Sequence, residues 1–151
     1  MIQLLTKVNI IDNSGGTIGR CIKILQPHGR DYAKVGDIIL VSILDTARLS
    51  LKGKTSNTKS NASIENKNSI KKGTMFKALV VRTKTNVVPN TAKFDSNAVV
   101  LLKSSGAPSS QKQIKIYDLP PIGTRIKGPI SLNLNKFSYT SKVTSLSTKL
   151  I

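Results

Sequence analysis

The sequence lacks tryptophan altogether, and it has one cysteine, one histidine and only 7 acidic residues among 151. A single thiol, Cys21, excludes an internal disulfide framework and leaves no second thiolate for a structural metal site. Phenylalanine and tyrosine are sparse as well, which argues against base stacking as the main way of holding a single strand. No apolar run approaches the roughly 20 residues that a membrane-spanning helix needs. His28 sits between Pro27 and Gly29 with no cysteine near it, so it suits a surface turn or a phosphate contact better than a general base. The carboxylates are widely spaced, and nothing in that spacing brings them together as a paired-carboxylate hydrolase or a two-metal nuclease requires. Gly15-Gly16 lacks the Gly-Lys-Ser/Thr ending with which a phosphate loop grips a nucleotide and its metal. These absences point away from catalysis and towards binding.

Positive charge is what the chain has in excess: 24 Lys and Arg give a net charge of +17. It is unevenly laid down, at +1 over residues 1–47, +6 over 48–72, +4 over 73–103 and +6 over 104–151. Solubility alone is normally achieved with both signs interspersed, whereas an excess of one sign calls for a polyanion to neutralise it. Cations that flank or enter turns can reach a groove without disturbing a core. On that ground Lys23, Arg48, Lys52, Lys54, Lys71, Lys72, Arg82, Lys84 and Lys93 are the candidate phosphate contacts. RNA suits such a set, being recognised largely through shape, phosphate and ribose hydroxyls.

Period-2 patterning dominates the apolar residues. Val8 and Ile10 alternate with Lys7 and Asn9, and Asp12-Asn13-Ser14-Gly15-Gly16 supplies a turn in which Asp12, like Asp37 further on, suits an Asx bond to the backbone. The next strand places Ile18, Ile22 and Ile24 inward, with Cys21 and Lys23 on the other face; Cys21 within it reads as a small core residue. Three continuous apolar runs, around 38–44, 75–81 and 97–102, have the length of buried strands. Five such segments with glycine turns predict a small closed or nearly closed barrel. Lys34-Val35-Gly36-Asp37 and Lys71-Lys72-Gly73-Thr74 each set a glycine before a strand, where positive φ or a bulge is wanted. Segments 50–69 and 103–113 are polar and cannot bury enough apolar area to offset ordering, so alone they are expected to be mobile. Weak helical character appears around 131–137, with Ser131 as N-cap.

Several motifs then occur in a specific order. They run from Met1-Ile2-Gln3 through Val8-Asn9-Ile10-Ile11-Asp12-Asn13-Ser14-Gly15, Cys21-Ile22-Lys23-Ile24-Leu25 and Tyr32-Ala33-Lys34-Val35-Gly36-Asp37-Ile38-Ile39. Lys71-Lys72-Gly73, Lys77-Ala78-Leu79-Val80-Val81-Arg82-Thr83-Lys84, Phe94-Asp95-Ser96-Asn97-Ala98-Val99 and Pro121-Ile122-Gly123-Thr124-Arg125-Ile126-Lys127-Gly128-Pro129 follow. Together they resemble the universal large-subunit ribosomal protein family fourteen. The resemblance implies a mainly β fold: a small five-stranded barrel with a projecting β-ribbon and a short, partly helical C-terminal region, as one domain over 1–151. It also implies binding to large-subunit rRNA, contacts with neighbouring large-subunit proteins, bridges to small-subunit rRNA, no catalytic activity and no cofactor. In bacterial and organellar relatives an exposed face receives a ribosome-silencing factor, and Thr124, Arg125 and Lys142 match that surface.

The chain departs from the family pattern in places. Residues 50–69 lengthen the ribbon tip, 104–118 insert a loop, 85–92 form a shorter loop without the usual arginines, and 133–141 are longer and less helical. Ser96 stands where glycine is common. A stand-alone RNA-binding or RNA-chaperone barrel of oligonucleotide-binding type is the alternative function. The match beginning at Met1, the wealth of Lys, Asn, Ser and Ile expected of an A+T-rich gene, and the two insertions favour a mitochondrial ribosome. A plastid or a bacterial cytoplasm is the alternative location.

Overall fold

A computed structural model describes residues 1–26, 29–47, 70–84, 93–103 and 119–151. The insertions at 50–69 and 104–118 lie outside the described residues, as does His28, so the mobility expected of 50–69 and of 103–113 falls there except at Lys103. The strands are β1 (Ile2–Gln3), β2 (Lys7–Ile10), β3 (Gly16–Gln26), β4 (Tyr32–Ala33), β5 (Ile38–Thr46), β6 (Met75–Arg82) and β7 (Ala98–Leu102).

Five of them close a barrel in the order β2-β3-β5-β6-β7. Neighbours pair antiparallel except at the seam, where β2 meets β7 in parallel with Asn9 opposite Ala98 and Ile10 opposite Val99. Closure leaves the barrel without a free strand edge. The remaining two strands, β1 and β4, form an antiparallel ribbon with Ile2 opposite Ala33.

Alternation fills the barrel as the period-2 pattern predicts. Val8, Ile10, Ile39, Val41, Ile43, Ala78, Val80, Val99 and Leu101 meet inside it, joined by Ile2 and Ala33 from the ribbon. On β3 the expected alternation is wrong. Cys21 is fully buried and Ile24 lies inside, whereas Ile18 and Ile22 are exposed. The register of β3 against β5 shifts between Gly16 and Ile18, Ile18 and Gly19, and Cys21 and Lys23. Each such irregularity resets which parity faces the core, because side-chain direction alternates strictly with position. Gly19 shows how closely the two strands approach: a Cβ there would lie 2.2 Å from Val41 Cγ1.

A second apolar layer lies outside the barrel. Leu79 and Val81 of β6, with Ala98, Val100 and Leu102 of β7, face outward and pack beneath Ile126, Ile130, Leu134 and Val143. This is why β7 reads as an unbroken apolar run: both its faces are buried. The covering segment contains 3-10 turns at Leu132–Lys136 and Ser138–Thr140 and a one-turn helix, α1 (Ser141–Ser145). Helical character thus appears where expected, in the tighter 3-10 form. Ser131 occupies the N-cap position without a side-chain cap bond.

The cover is fastened at its far end and in its middle. Leu132 N donates to Ile151 O at 2.7 Å, and Ile151 N donates to Ile130 O at 3.0 Å. Tyr139 OH donates to Gly36 O at 2.8 Å. Gly36 has φ +93°, and a Cβ on it would meet the Phe137 ring at 2.5 Å, so glycine is required there by conformation and by space. Gly73, in the matching position before β6, also has positive φ. No helix among the described residues is long and apolar enough to cross a membrane.

Candidate nucleic-acid interface

Strand pairing collects cations that are far apart in sequence. Lys7 lies opposite Arg20, Arg20 opposite Ser42, and Ser42 opposite Met75, so these residues share the outer face. The adjacent row runs Lys23, Leu40, Lys77. The outside of β2, β3, β5 and the start of β6 therefore carries Lys7, Arg20, Lys23 and Lys77. Of these only Lys23 is a candidate from sequence. Lys7 is signalled by its alternation with Val8, but the bulges of β3 conceal Arg20, and the apolar run of β6 conceals Lys77.

Lys71, Lys72, Lys84 and Lys93 are exposed as the turn argument predicts. Lys72 Nζ pairs with Asp45 at 2.9 Å, and both side chains are more than half exposed, so the pair contributes little to stability. Lys84 is positioned through its backbone, whose N–H donates to Asn97 Oδ1 at 2.9 Å. Arg48, Lys52 and Lys54 lie outside the described residues.

Arg82 differs from the lysines. It ends β6 half-buried, donates from Nη1 to Pro129 O at 3.3 Å, and its guanidinium carbon lies 5.9 Å from the centre of the Phe94 ring. Burial lowers its pKa from the ordinary arginine value, and its Nε is buried without a partner. Arg82 therefore ties the 126–130 segment to the barrel, and its head is only partly available to a phosphate.

A second exposed locus centres on Thr124 and Arg125. Asn13 Oδ1 accepts from Thr124 N at 2.8 Å and from Arg125 N at 3.1 Å, while Asn13 Nδ2 donates to Thr124 Oγ1 at 3.1 Å. The neighbouring Asp12 carboxylate is buried; it accepts from Leu101 N at 2.8 Å, from Ser14 N at 3.0 Å and from the Ser14 hydroxyl. The Asx role expected of Asp12 is thus extended into a link between the first turn and β7. Gly123 makes the docking possible, since a Cβ there would lie 2.8 Å from both Asp12 Cβ and Asn13 Oδ1. Ile126 N donates to Leu146 O at 3.4 Å, which sets the end of α1 beside this turn. Thr124, Arg125 and Lys142, all exposed, thus lie on segments that pack together.

Titratable groups elsewhere have structural surroundings. Burial pushes the Cys21 thiol up, away from the reactive thiolate. Asp37 accepts from Lys34 N at 2.7 Å, and its carboxyl is raised by burial, against the opposing pull of that bond and of Arg30 and Lys34. No cluster of three or more His, Cys, Asp or Glu suited to a metal occurs among the described residues. The sequence profile of one family, described as Ribosomal protein L14p/L23e, matches residues 1–151.

Proposed function

The chain belongs to the Ribosomal protein L14p/L23e family, and from that premise we propose that it binds large-subunit rRNA and contributes to the subunit interface and its bridges. Membership implies a structural role in the large ribosomal subunit, in a family of structural proteins rather than enzymes. The family match over the whole chain, on a closed barrel whose exposed cations far outnumber its acids, carries this reading. Lys71, Lys84 and Lys93 are the leading phosphate contacts, because their heads are exposed and unencumbered by Arg82-like packing. Arg48 extends the set towards the 50–69 insertion, and Lys52 and Lys54 extend it into that insertion. Residues 1–151 act as one ribosomal-protein domain that carries insertions at 50–69 and 104–118.

Thr124, Arg125 and Lys142 form the surface offered to neighbouring proteins, including a ribosome-silencing factor that blocks subunit joining. The location we propose is the mitochondrial ribosome, supported by the Lys-, Asn-, Ser- and Ile-rich composition and the two insertions. Cosedimentation with large subunits at high salt tests the ribosomal reading. A structural constituent stays with the subunit, whereas a stand-alone RNA chaperone held by phosphate contacts alone washes off. Mapping the coding gene tests the location, which a plastid genome or a bacterial chromosome would overturn.

A further inference from the structure

The turn between β1 and β2 displays two large aliphatic side chains, Leu4 at 57% and Leu5 at 68% exposure. Leu5 has φ +63°, the one non-glycine residue among those described with positive φ. A leucine held left-handed carries a strain that glycine would avoid. The backbone nevertheless pins it: Leu5 N donates to Cys21 O at 2.8 Å, Cys21 N donates to Thr6 O at 3.0 Å, and Gln3 N donates to Thr6 Oγ1 at 3.1 Å. These bonds lay Leu5 alongside the Cys21–Ile22 stretch, where Ile22 is itself 39% exposed. Three aliphatic side chains are thereby presented from a fixed frame.

Cations border them. Lys7 and Arg20 stand directly opposite each other, a like-charge cross-strand pair that opposes folding, and Lys23 follows on β3. None of the three forms an ion pair among the described residues. Phosphate would answer the charge, but RNA offers little aliphatic surface to cover leucine and isoleucine, and these side chains cannot stack on bases as aromatic rings do. A protein segment with apolar side chains flanked by carboxylates satisfies both requirements.

We infer that Leu4, Leu5 and Ile22, bordered by Lys7, Arg20 and Lys23, dock an acidic, apolar-bearing segment of a neighbouring protein. The inference rests on the ribosomal reading and assigns Lys23 to a protein rather than to rRNA.

The test uses the full chain with a benzophenone crosslinker in place of Gln3, whose side chain is exposed beside the patch, assembled into large subunits. After irradiation, the crosslinked fragment is identified by mass spectrometry. The expected product is a peptide with aliphatic residues flanked by Asp or Glu, its yield falling at least about tenfold in Leu5→Gly and in Ile22→Thr. Leu5→Gly relieves the strained φ, so it keeps or raises the thermal stability of the chain, and a lower yield cannot be ascribed to unfolding. Crosslinks to RNA, to a segment without carboxylates, or to nothing in subunits that contain the chain overturn the docking inference alone. Absence of the chain from the subunits overturns the ribosomal reading, and the docking inference with it.

Discussion

The barrel has two outer faces that obey opposite rules. Outside β6 and β7, Leu79, Val81, Ala98, Val100 and Leu102 are covered by the C-terminal segment, with Arg82 at the end of β6 bonded to Pro129 O of that cover. Outside β2, β3 and β5, the corresponding positions hold Lys7, Arg20, Lys23 and Ser42, with Ile18 and Ile22 open to solvent. One face is buried beneath a cover, and the other presents charge and partly covered aliphatic side chains to solvent.

Removing a side chain from the covered face attacks this contrast most directly. Leu134, fully buried beneath the cover, should lose roughly 2–5 kcal/mol of stability as Leu134→Ala, through lost burial and the cavity left behind. Ile22→Ala on the open face, where the side chain is only partly covered, should cost about 1 kcal/mol, both measured by denaturant titration. Equal losses at the two sites would erase the distinction. A smaller effect is expected at the link between the first turn and the cover. Asn13→Ala removes the acceptor shared by the Thr124 and Arg125 amides and should cost about 1 kcal/mol. Hydrogen exchange at those two amides should accelerate while exchange in β5 and β6 is unchanged.

The charged surface should respond in binding rather than in stability. Replacing Lys71, Lys84 and Lys93 together by alanine should leave stability within about 0.5 kcal/mol. It should flatten the dependence of log K for RNA on log salt by about 0.7–0.9 for each phosphate that is no longer neutralised. A slope equal to that of the natural chain would exclude these lysines from the interface. Arg82 stays in place in this variant, because its replacement would also release Pro129 O and uncover Phe94.

Asp37 gives the smallest expected effect. Burial raises its carboxyl pKa above the ordinary value of 3.8, so its contribution to stability is fully present below that value and is lost as pH rises through the folded-state pKa. Asp37→Asn keeps an acceptor for Lys34 N and removes the charge. It should match the natural chain below pH 3.8 and equal or slightly exceed it at neutral pH, as read by denaturant titration at both pH values. A variant less stable at neutral pH would show that the charge itself is needed, through Arg30 and Lys34.

Much of this is legible from residues alone. Val8 and Ile10 face the lumen as their alternation requires, and the apolar run at 98–102 is a buried strand. Gly36 and Gly73 adopt the positive φ that their place before a strand suggests. Among the site residues, Lys23, Lys71, Lys72, Lys84 and Lys93 are exposed as turn and strand positions imply. Where the sequence misleads, the cause is physical. An alternating pattern carries no mark of a bulge, so it assigns Ile18 and Ile22 inward, and the same reset of parity hides Arg20. Arg82 cannot be told from its neighbouring lysines, since its partners Phe94 and Pro129 are brought to it only by the fold.

The class of the fold, the strands of the barrel and the charge of its surface are already set in the residues. Each follows from local periodicity, turn chemistry and composition, which act over a few positions. It took the folded chain to bury β7 on both faces, to let Asn13 hold Thr124 and Arg125, and to bring Lys7, Arg20, Lys23 and Lys77 onto one surface. Those outcomes depend on register and closure. Both are settled by contacts between residues distant in the chain, where a shift of one position turns every side chain of a strand to the opposite face.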